Sequence, residues 1–179
     1  GDLIDLREMP KSIYGPLSRL EAPAFFVIGN HERYIGADEV CERLRNLGLT
    51  VLRNEVAHWN GLQLIGIDDA EAREQVRRVL EGLTIDRQAF TVLLYHRPDG
   101  LEAAAEQGVN LMLCGHTHNG QIMPFNYLVR RVFPRICGRY EVHGTELYVS
   151  PGTGTWGPLL RLGSFNEITE LQLMPPRHA

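Results

Sequence analysis

Three short apolar runs end abruptly at polar residues and set the predicted order of the chain. They cover residues 24–28, 90–95 and 111–114. Apolar runs of about four to eight residues are typical of strands buried on both faces, and such strands lie in sheets that helices cover. We therefore predict three buried strands beneath a layer of helices.

The stretches between these strands predict the helices. Apolar side chains recur at helical spacing over 37–48 and over 71–83, and the first of these stretches ends at Gly48, a residue suited to a helix C-terminus. Residues 98–108 carry a proline early and a glycine late, which favours a third helix.

The remaining segments predict hairpins and a final strand. Asn60-Gly61 lies between apolar-rich runs and predicts a tight turn, and a second hairpin is expected to turn near His143-Gly144. Residues 167–174 alternate between apolar and polar and predict a last strand. The fold class expected is layered α/β, with two mixed β-sheets flanked by helices in one domain over residues 1–179. Since "GDLID" opens the chain with no strand before it, we expect the N-terminal strand of this domain to be missing.

Composition excludes several classes of function. The chain has 18 basic and 22 acidic residues and a net charge of −4, so it lacks the basic excess of a nucleic-acid-binding protein. Its three cysteines have no C-x-x-C spacing and predict neither a disulfide framework nor a thiolate zinc site. No apolar run approaches the roughly 20 residues that span a bilayer.

Histidines follow each of the three predicted strands, at the edge where open α/β sheets collect ligands. These residues, with the carboxylates and the carboxamide near them, are His31, His96, His116, His118, Asp2, Asp5 and Asn30. A lone histidine at a strand end is more often structural than a ligand. Convergence of four segments on one edge favours a metal site instead, because imidazole and carboxylate together suit Zn, Mn and Fe.

The spacing of His116 and His118 bears on how many metals are held. In an extended segment, residues i and i+2 point to the same side about 6.6 Å apart. Two metals about 3.5–4 Å apart, as in two-metal hydrolases, would then take one histidine each. Gly115 and Gly120 would allow a tight loop that brings the backbone close to the metals.

Four motifs in order carry a family resemblance: "GDLID", "GNHE", "YHRP" and "GHTH". Together they resemble the calcineurin-like metallophosphoesterase superfamily, and the glycine-rich tail looks like its bacterial, often membrane-associated branch. The resemblance implies a metallophosphoesterase fold and a hydrolase that acts on ester bonds, a phosphodiesterase or phosphatase. It also implies a cytoplasmic or membrane-associated location.

The resemblance assigns roles residue by residue. Asp2 would bridge two divalent or trivalent transition-metal ions (Mn, Fe or Zn). Asn30, His96 and His116 would complete the ligand set of one metal, and His118 would be a ligand of the other. A hydroxide held by this dinuclear centre would attack phosphorus in line. His31 would protonate the leaving group or steady the transition state, and Asp5 would orient a ligand histidine.

One departure from the family keeps a second functional class open. The family's first block, an Asp-x-His, would precede "GDLID" and is absent from the sequence given. The alternative is therefore a binding or scaffold module on the same fold, with an incomplete and inactive metal site. A metallo-β-lactamase type of hydrolase is excluded, because Asn119 and Gly120 follow "HTH" where H-x-H-x-D-H is required.

Five residues are candidates for substrate binding, each with a plainer alternative. Asp68 and Asp69 end a predicted strand and would face the substrate, or Asp69 would cap the helix that begins near Glu71. Arg97 would reach a phosphate or form a surface salt bridge. Trp156 and Arg161 lie in the tail that is expected to wrap near the site.

The segment 125–136 mixes aromatic side chains with Arg130, Arg131 and Arg135. It would form an interfacial patch for acidic lipid headgroups, giving peripheral membrane contact, or it would pack its apolar side on the core. The partner expected is a phosphate ester: a small molecule, a nucleotide or a lipid headgroup.

Overall fold

The computed structural model describes residues 1–4, 14–72 and 74–174. Their eight strands form two sheets: β1 (Phe25–Phe26), β2 (Thr50–Val51), β3 (Glu55–Trp59), β4 (Leu62–Ile67), β5 (Phe90–Tyr95), β6 (Leu111–Cys114), β7 (Gly138–Val142) and β8 (Thr145–Val149). Strands β1 and β2 pair in parallel as a small sheet, and the other six form a mixed sheet in the order β3-β4-β5-β6-β8-β7. The prediction of a layered α/β fold with two sheets is confirmed, although the small sheet is parallel rather than mixed.

The large sheet has a parallel centre and a hairpin at each edge. Strands β4, β5, β6 and β8 run parallel, whereas β3 and β7 pair antiparallel with their neighbours. Both predicted turns are present: Asn60-Gly61 and His143-Gly144 take positive φ at both positions, as a type I′ turn requires. The runs over 90–95 and 111–114 form strands with the predicted bounds.

Five α-helices accompany the sheets in the described residues: α1 (Asn30–Ile35), α2 (Ala37–Asn46), α3 (Gln75–Glu81), α4 (Leu101–Glu106) and α5 (Asn126–Val132). Helices α2, α3 and α4 fall within the three stretches whose spacing predicted helices. Two short 3₁₀ segments, Leu17–Arg19 and His118–Gly120, complete the elements.

Apolar packing arranges these elements in layers. Helices α3 and α4 bury Val76, Leu80 and Leu101 against one face of the large sheet. The opposite face packs on the small sheet through a cluster that includes Val27 and Leu52. Helix α2 covers the small sheet from outside. The order is therefore helices, large sheet, small sheet, helix.

The predicted last strand is wrong. Residues 167–174 form no strand, and their pattern of exposure is that of a segment lying on the surface, with Ile168 almost fully exposed. Alternation gives a strand only where a neighbouring edge supplies a ladder of hydrogen bonds. The described contacts of this segment are isolated ones, such as the Glu167 N–H to the carbonyl of Gly152 and the Tyr148 hydroxyl to the Glu167 carboxylate. Among the described residues, no helix is long and apolar enough to cross a bilayer.

Candidate metal site

Three donor atoms from three separate segments converge at one edge of the large sheet. Asp2 Oδ2 lies 2.8 Å from His96 Nε2, and His96 Nε2 lies 3.1 Å from His116 Nδ1. One ligand atom from each of the three residues lies within 4.8 Å of the others. The strand order explains the convergence, since His96 follows β5 and His116 lies just beyond β6, its parallel neighbour.

Asn30 supplies evidence that this cluster fits a metal. The residue begins helix α1 and is buried, and its side-chain oxygen Oδ1 is buried with no hydrogen-bond partner in the described part of the chain. An orphaned buried acceptor is costly and calls for a missing partner. A carboxamide oxygen beside a carboxylate and two imidazoles is a donor set that Mn, Fe or Zn accepts.

Burial keeps the imidazoles of the site neutral. It lowers the pKa of His116 to about 4 and also lowers the pKa values of His96 and His118. Burial opposes ionisation of Asp2 as well, but hydrogen bonds from His96 and from the backbone N–H of His31 outweigh it and hold the pKa of Asp2 well below its usual range. The site therefore offers uncharged imidazoles and a negatively charged carboxylate, as metal binding requires.

Glu32 holds the segment that carries Asp2 in place. Its buried carboxylate accepts hydrogen bonds from four backbone N–H groups: those of Asp2 and Gly29 at Oε2, and those of Leu3 and Ile4 at Oε1, at 2.7–3.1 Å. The same side chain closes the capping box of helix α1. Sequence analysis missed this role; the only signal was an acidic residue three positions after Gly29.

Gly29 is required for the approach of Asp2 to this turn. A Cβ built on Gly29 would lie 2.1 Å from Asp2 Oδ1. At Gly115, which precedes His116, the nearest heavy atom to a built Cβ is 3.9 Å away. One glycine of the site is therefore fixed by steric contact and the other is not.

We expect Gly29→Ala to weaken Mn²⁺ binding at least about tenfold, because the added methyl displaces the carboxylate of Asp2. Isothermal titration of the metal-depleted protein measures this affinity. Gly115→Ala is the matched control and should retain the wild-type dissociation constant. Equal affinities for the two variants would contradict the steric role of Gly29.

The loop that carries His116 and His118 is not extended. Both residues have positive φ, 71° and 49°, and so do Asn119 and Gln121. The expectation of an extended H-x-H pair is therefore wrong, because a tight left-handed turn replaces the strand geometry. Non-glycine residues in this region are strained by about 1–3 kcal/mol each, and such strain gathers at functional sites. Gly120 allows this tight turn with a φ of 73°, and it also permits the close packing of helix α5, because a Cβ there would lie 2.3 Å from Asn126 Cα.

His118 and His31 flank the three-atom cluster. His118 Nδ1 lies 3.3 Å from Arg161 Nη2, and the ring is outside the cluster of three donor atoms. His31 Nε2 lies 3.9 Å from Asp2 Oδ2, and the His31 side chain is about one quarter exposed. Both histidines line the same cavity as His116.

Arg161 and Trp156 lie beside the histidine loop. The guanidinium of Arg161 donates to the carbonyl of Pro151, and its Nη1 lies 3.3 Å from the carbonyl of His118. Gln121 is buried and clamps the backbone of Trp156, accepting from its N–H at 2.6 Å and donating to its carbonyl at 2.7 Å. Both candidates thus reach the site, and Gln121 is a second residue that sequence analysis missed.

The other substrate-binding candidates bind protein groups. The carboxylate of Asp69 is fully buried and accepts from Arg33 Nε at 3.0 Å and from Arg97 Nε at 2.6 Å. Asp68 accepts from Arg53 Nε at 2.9 Å. These residues lie outside the set that lines the cavity over the histidines.

Two further predictions meet different outcomes. Asp69 does not cap helix α3, which begins at Gln75 without a side-chain cap, so the alternative role predicted for Asp69 is wrong. Asp5, the candidate orienting residue, lies outside the described residues.

Apolar side chains form part of the lining of the cavity of about 540 Å³ that the histidines also line. Phe125, Val129 and Phe133 contribute to it from helix α5 and its flanks. The ring of Phe133 packs edge-on against His116, with centroids 5.0 Å apart. The metal cluster thus opens into an apolar chamber.

Comparison with known proteins agrees with this geometry. The profile of the calcineurin-like phosphoesterase family matches residues 1–120. The chain is 37% identical over 190 residues to an uncharacterized metallophosphoesterase of Helicobacter pylori, an alignment that covers all of this chain and 51% of that protein. It is 32% identical over 177 residues to phosphodiesterase YaeI of Escherichia coli, covering 90% of this chain and 62% of that protein.

A bovine relative is also similar over nearly the whole chain. The transmembrane protein with metallophosphoesterase domain of Bos taurus is 35% identical over 198 residues, covering 97% of this chain and 44% of that protein. The chain thus spans about half the length of the bovine and Helicobacter relatives. No solved structure matches it significantly.

The family match covers two thirds of the chain and includes the segments that bring Asp2, Asn30, His96 and His116 to one sheet edge. The chain therefore belongs to the calcineurin-like phosphoesterase family.

Proposed function

We propose that the protein is a metal-dependent phosphodiesterase with a dinuclear metal centre. The observation that carries the proposal is the convergence of Asp2, His96 and His116 beside the unpartnered oxygen of Asn30. Asp2, Asn30 and His116 line a cavity large enough for a small-molecule ligand. The name of the Escherichia coli relative, a phosphodiesterase, supports a diester rather than a monoester as substrate.

The roles follow from where the donor atoms lie. Asp2, Asn30, His96 and His116 would hold one metal, and His118, across the same cavity, would contribute to the second. Asp2 would contribute its carboxylate to this centre: its Oδ2 lies 2.8 Å from His96 Nε2, and its Oδ1 accepts from the backbone N–H of His31 at 3.0 Å.

The metals would activate water and neutralise the charge on the phosphoryl oxygens. His31 is the candidate proton donor to the leaving alcohol, since its ring borders both Asp2 and the cavity and is partly open to solvent. The apolar side chains that line the cavity would reduce the water around the reacting group, which would strengthen the electrostatic interactions within the site.

The function is tested by hydrolysis of bis-p-nitrophenyl phosphate and p-nitrophenyl phosphate by the full-length protein with Mn²⁺. We expect the diester to be cleaved at the higher kcat/KM and EDTA to abolish both activities. Elemental analysis should find about two transition-metal ions per chain.

The scaffold alternative predicts a different result. A binding module with an incomplete site would hold less than one metal per chain and would cleave neither ester, even with Mn²⁺ in excess. If the protein binds one metal per chain and is fully active, the phosphodiesterase function stands and the proposal of a dinuclear centre is wrong.

A further inference from the structure

Helix α5 departs from the usual amphipathic pattern. None of its seven residues is buried, although Tyr127, Leu128, Val129 and Val132 are apolar or aromatic. Tyr127, Leu128 and Val132 are 64%, 55% and 70% exposed. A helix on the surface of a globular protein turns its apolar stripe to the core and polar residues to water. Helix α5 instead presents apolar side chains outward.

The inner side of the same helix walls the cavity over the histidines. Val129 lines this cavity together with Phe125, Phe133 and Trp156, and His31, His116 and His118 line it as well. A ligand that fills the cavity is therefore polar at one end and hydrocarbon along the rest. A nucleotide is disfavoured, because its base and ribose need polar partners that the apolar wall does not offer.

Exposed apolar side chains continue around the mouth of the cavity. Phe125 and Trp156 are each about half exposed, and Leu159 and Leu160 extend the surface beyond Trp156. An exposed apolar surface of this kind marks a binding face rather than ordinary protein surface. We call helix α5 with residues 156–160 the apolar rim.

The stretches of sequence that form the apolar rim and its flanks are basic. Residues 115–136 and 151–165 contain four arginines and no aspartate or glutamate, in a chain whose net charge is −4. Arg130 and Arg131 lie exposed in the last turn of helix α5. Neither forms an ion pair within the described part of the chain. Aromatic and aliphatic side chains beside arginines are typical of surfaces that lie in the headgroup region of an anionic membrane.

We propose that the apolar rim binds an anionic phospholipid bilayer and that the cavity takes an acyl chain of the phospholipid that is hydrolysed. The substrate is then a phosphodiester with a hydrocarbon tail, such as phosphatidylglycerol. Water adds to phosphorus, one ester P–O bond breaks, and the leaving alcohol oxygen takes up a proton. The chemical step rests on the proposed phosphodiesterase function, whereas bilayer binding does not.

Binding is measured on the full-length protein in EDTA, with vesicles of phosphatidylglycerol carrying brominated acyl chains. Bromine quenches tryptophan fluorescence on contact. The part of the emission that comes from Trp156 is the part that Trp156→Phe removes. Quenching of that part shows that the apolar rim itself contacts the acyl chains, even if another segment also attaches the protein to a membrane. We expect this part of the emission to be quenched. Trp59→Phe is the matched control, since Trp59 lies on edge strand β3, and it should leave the quenching unchanged.

Two double variants separate the apolar and electrostatic contributions. Leu128→Gln/Val132→Gln keeps helix propensity and removes the apolar surface, so quenching of Trp156 should fall to background. Arg130→Gln/Arg131→Gln should weaken vesicle binding about thirtyfold, from about fivefold for each arginine near an anionic surface. Leu173 and Met174 lie beside the first residues of β4, β5 and β6, at the opposite end of the strands from the histidines. Leu173→Gln/Met174→Gln should therefore bind vesicles as the wild type does.

Hydrolysis separates the two proposals. The lipid substrate is supported if the wild type cleaves both phosphatidylglycerol and bis-p-nitrophenyl phosphate and Leu128→Gln/Val132→Gln loses only the cleavage of phosphatidylglycerol. Cleavage of bis-p-nitrophenyl phosphate alone overturns it and leaves the phosphodiesterase standing. If Trp156 is quenched but neither ester is cleaved, the proposed phosphodiesterase function is wrong and the proposal of a bilayer-binding surface stands. Absence of quenching, or burial of Trp156 by a second copy or another protein, overturns the apolar rim as a membrane surface.

Discussion

Replacement of His116 by alanine should lower kcat/KM for bis-p-nitrophenyl phosphate at least about 100-fold, with Mn²⁺ in excess. The ring supplies one of three donor atoms that converge in the described part of the chain, and its neutral state makes the lone pair available. Losses of this size follow when an electrostatic contact to the reacting group is removed. Metal content should fall together with the rate, because the same imidazole serves both.

His58→Ala is the control for this experiment. His58 is exposed on strand β3, at the far edge of the large sheet from β6, so its loss should change neither rate nor metal content. Circular dichroism should show that both variants are folded. If His116→Ala retains more than about a third of the wild-type rate, the assignment of the metal site is wrong.

Glu32→Gln should lower the free energy of unfolding by about 3 kcal/mol, although it changes only one atom of the side chain. The amide replaces one carboxylate oxygen, so two of the four backbone N–H groups face a donor instead of an acceptor. Thermal unfolding should then shift down by about 6–12 °C, at about 2–4 °C for each kcal/mol in a domain of this size.

The second readout for Glu32 is metal binding. The N–H groups of Asp2 and Gly29 share Oε2, so the variant should also bind Mn²⁺ more weakly than the wild type. Glu71→Gln offers a matched control, because its carboxylate is mostly exposed and its ion pair among the described residues is a surface contact with Arg33. Equal melting temperatures for the two variants would show that the buried carboxylate does not hold this segment.

Much of the fold was readable from the sequence because its signals are local. Apolar runs such as 90–95 end where the strand ends, and Asn60-Gly61 determines its own turn. Likewise, His96 and His116 could be brought together from sequence, because they follow neighbouring parallel strands and such strands share an edge.

The features that sequence analysis missed depend on partners far along the chain. Glutamate is rarely buried, so nothing near Glu32 indicated that four backbone groups would meet its carboxylate. The positive φ of His116 and His118 follows from packing of the loop, and "HTH" read as an extended pair. Residues 167–174 have the alternation of a strand but no ladder within the described chain.

The ligands of the site come from both sheets, since Asp2 and Asn30 belong to the layer of the small sheet and His96 and His116 to the large one. Asp69 already links these layers by holding Arg33 and Arg97 on one carboxylate. A metal bound by all four ligands would link the two layers across the same interface. At a free concentration 100 times its dissociation constant, it would add about 2.7 kcal/mol to the cohesion of the two layers. Metal supply would then govern how long the folded protein survives proteolysis as well as how fast it works.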